Sequence, residues 1–383
     1  MMNWIFLIFL ITSSLAGLQA CGSGFGGQGS IAQDTPGKFG GTPVDPNPSP
    51  APGPSATPAP GPSNNNNDLG ICGTLNFDEI VWPTVFDLTD KRSLALSFNI
   101  TGSFEGGAGW TNLANNFDGE GMSLGLLQQN LGTGSLQPLL LNMVQKHPDV
   151  MARAFAPMDL ASLESMLKDW NGTALMMKAI SIQRVSPLSS ISETELFPDT
   201  DVLSTLDMPM KPAGGESGKV TTVSTSSSVQ WAKSNLFASD GVSFVPRWKT
   251  SFKTLAASAE YRSLQVSAAL NIYNRAVAYY KYFGFSEMRM SLLMFDFVTQ
   301  NGGFTLSHEA QYKTYLSSHV SATEQERAQA LLEIRLKSVR PEYVTDVRQR
   351  KTAIIVGAGI VHGASRNLPK EYCYRPAEVL TDL

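Results

Sequence analysis

Apolar and polar positions divide the chain into three regimes. Residues 1–20, MMNWIFLIFLITSSLAGLQA, are an apolar block that passes into small residues. Residues 21–68 are low in apolar content: a glycine-rich start, GSGFGGQGS, leads into DPNPSPAPGPSATPAPGPSNNNN. From residue 69 to residue 383 apolar residues return, mostly at helical spacing, between turn-rich stretches. The first block is shorter than a spanning helix needs and reads as an export signal, although no Lys or Arg precedes its apolar core. The second cannot bury enough apolar surface to fold. Its glycine part is flexible and its proline part semi-extended, which suits a spacer.

Within 69–383 the pattern predicts a helix over FDLTDKRSLALSFNITGSFEG, capped by Asp87 or Thr89 and stopped at Gly106-Gly107. Residues 111–130 read as a hairpin or loop, with Asp118-Gly119 as its turn signal. GSLQPLLLNMVQKH is a helix with Ser135 as candidate cap, and PMDLASLESMLKDW another, starting at Asp159 or Ser162. Residues 185–228, rich in Ser, Thr, Pro and Gly, read as an insertion with a short hairpin at 219–225. Further helices are expected around 229–237, 246–282, 286–301, 304–318, 322–337 and 342–355. No internal repeat is visible. The expected class is α+β, mostly α, with one small β element.

Composition adds an anomaly. Only 16% of the residues are charged, yet Glu105, Asp118 and Glu120 crowd into ITGSFEGGAGWTNLANNFDGEG. A carboxylate at the C-terminal end of an apolar helix is shielded from water and meets the helix's negative end. Both favour the protonated form that a general acid needs, and Glu105 occupies that place. Asp118, on an adjacent open hairpin, suits the ionised partner. Two carboxyls in unlike environments are the chemistry of glycoside hydrolysis. Ser123 is placed to hold a water, and Gln128, Gln129 and Asn130 to read sugar hydroxyls. Taken alone, these residues equally fit a helix C-cap followed by a polar hairpin.

Residues 103–130 resemble the catalytic segment of the lysozyme-like superfamily, most closely its chitosanase branch. There a Glu ends a helix and an Asp-Gly-x-Gly-x-Thr/Ser hairpin follows. The resemblance implies a lysozyme-like fold with its hairpin beside an active-site cleft. It also implies Glu105 as acid, Asp118 as base and Ser123 in the place of the water-holding Thr; the acid-to-base spacing is shorter here. FDGEGMSLGLLQQNLGTGSLQPLL, LLMFDFVTQNGG and RKTAIIVGAGIVHG resemble bacterial and phage peptidoglycan-degrading domains, so the likeness spans most of 95–365 and leaves out the insertion. The closest type is a lysozyme specific for deacetylated peptidoglycan. Its substrate carries ammonium groups, which Glu120, with Glu164 or Asp169, would pair. A lytic transglycosylase using Glu105 alone and a non-catalytic wall-binding lipoprotein are the alternatives.

Other residues carry weaker signals. His362 in GAGIVHGAS is placed to bind substrate, to support the acid from behind, or to bond the backbone. Asn301, after Asp296 and Gln300, is placed to line the cleft or to cap its helix, with Arg348 or Arg350 as partner of Asp296 or of the base. Trp110 and Trp170 suit sugar stacking or core packing, and SFNIT and DWNGT match glycosylation sequons. The four histidines have no cysteine beside them, so no metal and no cofactor is expected.

LQAC resembles a bacterial lipobox, which makes Cys21 a lipidation site; plain signal cleavage nearby is the alternative. That leaves Cys72 and Cys373, an even pair suited to a disulfide in an oxidising compartment, or else two buried thiols. The formal charge of −4 and the lack of basic runs exclude a nucleic-acid partner. The expected protein is an exported monomer: periplasmic, tethered to the outer membrane or secreted. Its partner is peptidoglycan or another amino-sugar polymer, and it meets a membrane only through a lipid anchor.

Overall fold

The computed structural model describes residues 66–178, 196–197, 223–381 and 383. The expected export signal, Cys21, the expected spacer and most of the expected insertion lie outside the described residues. The rest is mostly helical with small antiparallel sheets. Among the described residues no helix is long and apolar enough to cross a membrane.

Helix α1 spans Leu88–Glu105. Asp87, not Thr89, caps it: its carboxylate accepts from Asp90 N at 2.9 Å, and the Asp90 carboxylate accepts in return from Asp87 N at 3.3 Å. Ser93 through Gly102 are all buried, as in a helix enclosed on every side. Asn99, in the first sequon, is part of that interior and bonds Leu75 N and Ala95 O. Strands β1 (Leu113–Ala114), β2 (Ser123–Leu124) and β3 (Gln129–Asn130) follow as an antiparallel sheet in that order. Asp118-Gly119 lies in the β1–β2 connection, as expected.

Helices α2 (Gln137–Lys146), α3 (Pro148–Ala154), α4 (Pro157–Lys178), α5 (Val223–Asn235), α6 (Pro246–Ala257) and α7 (Ala259–Ala268) come next. They surround one apolar core built on Leu140, Leu163, Trp248 and Phe252. Helices α8 (Leu270–Tyr282), α9 (Met288–Asn301), α10 (Leu306–Ser318), α11 (Glu324–Leu336) and α12 (Val344–Val356) gather with α1 around a second, containing Phe98, Phe295, Leu331 and Ile354. The three-stranded sheet joins the two. Met122, Leu124 and Leu131 enter the first core, Leu126 and Leu127 the second.

Several expectations need correction. Ser135 does not cap α2; its hydroxyl accepts from Asn130 N at 2.9 Å and so pins the strand end. Helix α4 starts earlier than Asp159, with Pro157 in its first turn, where a missing N–H costs nothing. The expected hairpin at 219–225 is overturned at 223–225, which begin α5. The single helix expected over 246–282 is three, because Ser258 turns extended and caps α7 through Tyr261 N, and Ala269 interrupts again.

A hairpin at 358–367 was not expected. Strands β4 (Ala358–Val361) and β5 (Ala364–Asn367) pair antiparallel. His362 (φ 51°) and Gly363 (φ 77°) make the two-residue turn, the left-handed geometry that two-residue hairpins favour. The short helix α13, Leu368–Tyr372, then brings Cys373 to Cys72. The two form a disulfide with Cα atoms 5.1 Å apart, and Cys72 N bonds Tyr372 O beside it.

Candidate active site

Glu105 is the last residue of α1, and its side chain is 21% exposed. The hairpin is braced against this helix end. Asn112 Nδ2 donates to Glu105 O at 3.5 Å, while the Asn112 carbonyl accepts from Gly125 N at 2.8 Å. Gly102 lets Leu126 press on the helix; a Cβ there would lie 2.7 Å from Leu126 Cδ2. The buried amide of Gln265 accepts from Leu126 N at 2.9 Å and occupies the space a Gly125 Cβ would need, 2.3 Å away.

On the β1–β2 connection Asp118 is exposed. Its Oδ1 accepts from Glu120 N at 3.0 Å, and Asn116 Oδ1 takes Gly121 N at 2.8 Å. The adjoining Phe117 is 66% exposed. Glu120 is half-buried and lies over Gly132, where a Cβ would meet its Oε2 at 1.8 Å. Ser123 sits on β2 between Ala114 and Asn130 and is largely covered.

Gln128, at φ 50°, spends its amide N–H on Gly125 O at 2.8 Å. Gln129 and Asn130, expected to reach sugar hydroxyls, are buried. The Asn130 Oδ1 is taken by Thr133 N and Oγ1, at 2.7 and 3.0 Å. The Asn130 amide thus serves the hairpin itself, while the Gln129 Oε1 is buried with no hydrogen-bond partner among the described residues. Trp110 is core: it packs edge-on against Phe77 and Phe98, with its N–H on Asn76 O. Trp170 is half-buried, and Glu164 and Asp169 are exposed on α4.

Behind Glu105 lies a charge cluster. Arg350 Nη1 meets Glu105 Oε1 at 2.6 Å and Arg350 Nη2 meets Asp296 Oδ1 at 2.9 Å. Lys351 Nζ reaches Asp296 Oδ2 at 2.7 Å, and Thr101 Oγ1 donates to Asp296 Oδ1 at 3.0 Å. Asp296 and Lys351 are fully buried. Burial pushes the Asp296 carboxyl up, but Arg350 and Lys351 outweigh it and hold it well below the usual range. Burial lowers the Lys351 amine to about 8, against the pull of Asp296. The guanidiniums of Arg350 and Arg366 both lie over the Phe104 ring, 5.2 and 5.4 Å from its centre.

Of the two arginines considered for Asp296, Arg350 is its partner; Arg348 pairs with Glu333. Asn301 ends α9, where its carbonyl takes Arg335 Nη2 at 2.8 Å. His362, expected on substrate, behind the acid or on the backbone, pairs with the Asp346 carboxylate at 2.5 Å. Sequence reasoning missed Asn112, Gln265 and Lys351: a loop amide before a strand, a helical amide and the last of the charged run RQRK, none of which names a partner.

Among the described residues no three His, Cys, Asp or Glu side chains gather to hold a metal ion. A groove of about 490 Å³ between α10 and α11, lined by Tyr315, Ile334 and Lys337, contains none of the candidate residues. No family model matches the chain, and no curated protein or solved structure gives a significant match.

Proposed function

We propose that the protein is a glycoside hydrolase of lysozyme-like fold, cleaving β-1,4 bonds of peptidoglycan and favouring deacetylated strands. Glu105 protonates the glycosidic oxygen. Asp118 activates water, with Ser123 beside it, and the product inverts if the two carboxyls stand ~6.5–9.5 Å apart across the bound sugar. Glu120 faces the ammonium of a glucosamine unit. The enzyme is exported, held by its spacer and a lipid on Cys21 or released, and works as a monomer without a cofactor.

One observation carries this reading. A half-shielded glutamate ends a buried helix, is held by a buried arginine that also serves a buried aspartate, and adjoins a hairpin bearing an exposed second carboxylate. The shielding expected at this helix end is offset by a cation 2.6 Å from the carboxyl, so what supports the reading is the fixed position of Glu105 at the helix end beside the hairpin, not its surroundings.

Glu105→Gln is expected to lower kcat on deacetylated sacculi by about 10²–10⁴-fold, with the circular dichroism spectrum unchanged. Full activity in that variant ends the proposal. Asp118→Asn distinguishes the chemistry: loss of activity marks the inverting hydrolase, whereas near-normal turnover with anhydro-sugar products marks a transglycosylase.

A further inference from the structure

The charges behind Glu105 do not end inside the protein. From Lys351 a continuous run of hydrogen bonds reaches the surface. Lys351 Nζ donates to Gln300 Oε1 at 2.6 Å, and Gln300 Nε2 donates to Asp346 Oδ2 at 2.7 Å. Asp346 Oδ1 then meets His362 Nε2 at 2.5 Å. The Asp346 side chain is 33% exposed and that of His362 52%, so the run starts at the turn of the β4–β5 hairpin and finishes at the end of α1.

Asp296 has two oxygens to share. Lys351 takes Oδ2; Arg350 and Thr101 take Oδ1. While the Lys351 ammonium is seated, Asp296 is served by two cations, and the other arm of Arg350 is available to Glu105. If Lys351 loses its proton or its seat, Asp296 draws on Arg350 more strongly and Glu105 loses its cation. Lys351 faces Asp296 and Gln300 on α9, the Phe297 ring at 5.0 Å, and Arg350 and the more distant Asp346 on its own helix. Asp346 faces Gln300 on α9 and His362 on the β4–β5 turn.

The sense of the Gln300 amide matters. An ionised carboxylate only accepts hydrogen bonds, whereas an amide can present either end. Asp346 therefore fixes Gln300 with its NH₂ outward and its carbonyl toward Lys351. An amide at 346 would let Gln300 reverse and turn its NH₂ on the ammonium. We propose that Asp346, clamped by His362 and acting through Gln300, is a positioning residue for Glu105: it keeps the Lys351 ammonium charged and seated on Asp296, and so leaves Arg350 free to hold Glu105. The inference rests on Glu105 being the proton donor.

The test follows the Lys351 ¹³Cε resonance through a pH titration in wild type, Asp346→Asn and His362→Asn, alongside kcat and KM against pH on soluble deacetylated glycan fragments. Asparagine at 362 tolerates the left-handed turn, so that variant removes the imidazole and keeps the hairpin. In Asp346→Asn the Lys351 midpoint is expected to fall by about half a pH unit, roughly threefold in proton affinity. The alkaline limb of kcat moves with it while KM holds, and His362→Asn shifts both the same way by less. Unchanged midpoints and an unchanged limb in both variants overturn the inference. If the midpoint moves but wild type releases no glycan fragments, the coupling is upheld and the hydrolase reading falls.

Discussion

Asp296 is the residue on which the buried cluster turns. It is fully enclosed and answers two cations. Asp296→Asn keeps the shape and removes the charge, leaving Arg350 and Lys351 to repel each other out of water. The expected loss is about 3–5 kcal/mol of unfolding free energy in urea; a loss below about 1 kcal/mol would mean that solvent reaches the site. The pH dependence has a definite sign. The folded carboxyl sits below its ordinary value, so the stability it brings is present above the ordinary carboxylate range and is lost as pH falls toward the folded value. The places of Glu105, at a helix end, and of Asp118, in a hairpin connection, were legible because helix stops and turn chemistry are local. The choice between Arg348 and Arg350 was not. Two residues apart on a helix, they point ~200° apart, and only the packing of α12 on α9 shows which faces inward.

At the scale of elements, the hairpin owes its place to small residues and buried amides. Gly125 has φ 88° and a Cβ there would strike the Gln265 oxygen. Gly125→Ala is expected to cost about 1–3 kcal/mol through backbone strain and the displaced amide. It should also raise hydrogen exchange at Leu126 N, whose acceptor is that amide; native stability and protection would show the brace to be unimportant. The helices were readable wherever a cap or breaker sat at an amphipathic edge, as at Asp87. Ser258 was readable in principle, but a single serine inside a long periodic stretch does not announce a break. The β4–β5 hairpin was hidden because its exposed face carries apolar Ala358 and Ile360 while Gly359 and Arg366 lie on the covered face with Val361, so apolar and polar residues do not alternate with burial.

At the scale of the molecule, the disulfide ties residue 72 to residue 373 across a separation of 301 residues. Chain entropy alone puts its effect at about 6 kcal/mol, an upper figure. Cys72→Ser is expected to lower stability by about 2–5 kcal/mol, read as a shifted urea midpoint; an unchanged midpoint would show that the ends pack without it. The pairing was legible because, with Cys21 assigned to the leader, only Cys72 and Cys373 remain. The two apolar cores were not, because apolar periodicity says which face of a helix is buried and not against which neighbour.

The most direct measurement is mass analysis of fragments released from native and enzymatically deacetylated sacculi by wild type and by Glu105→Gln. Wild type is expected to release reducing-end glycan fragments, more from the deacetylated wall, and the folded variant none. Equal release by both proteins, or none by either, would contradict the role given to Glu105.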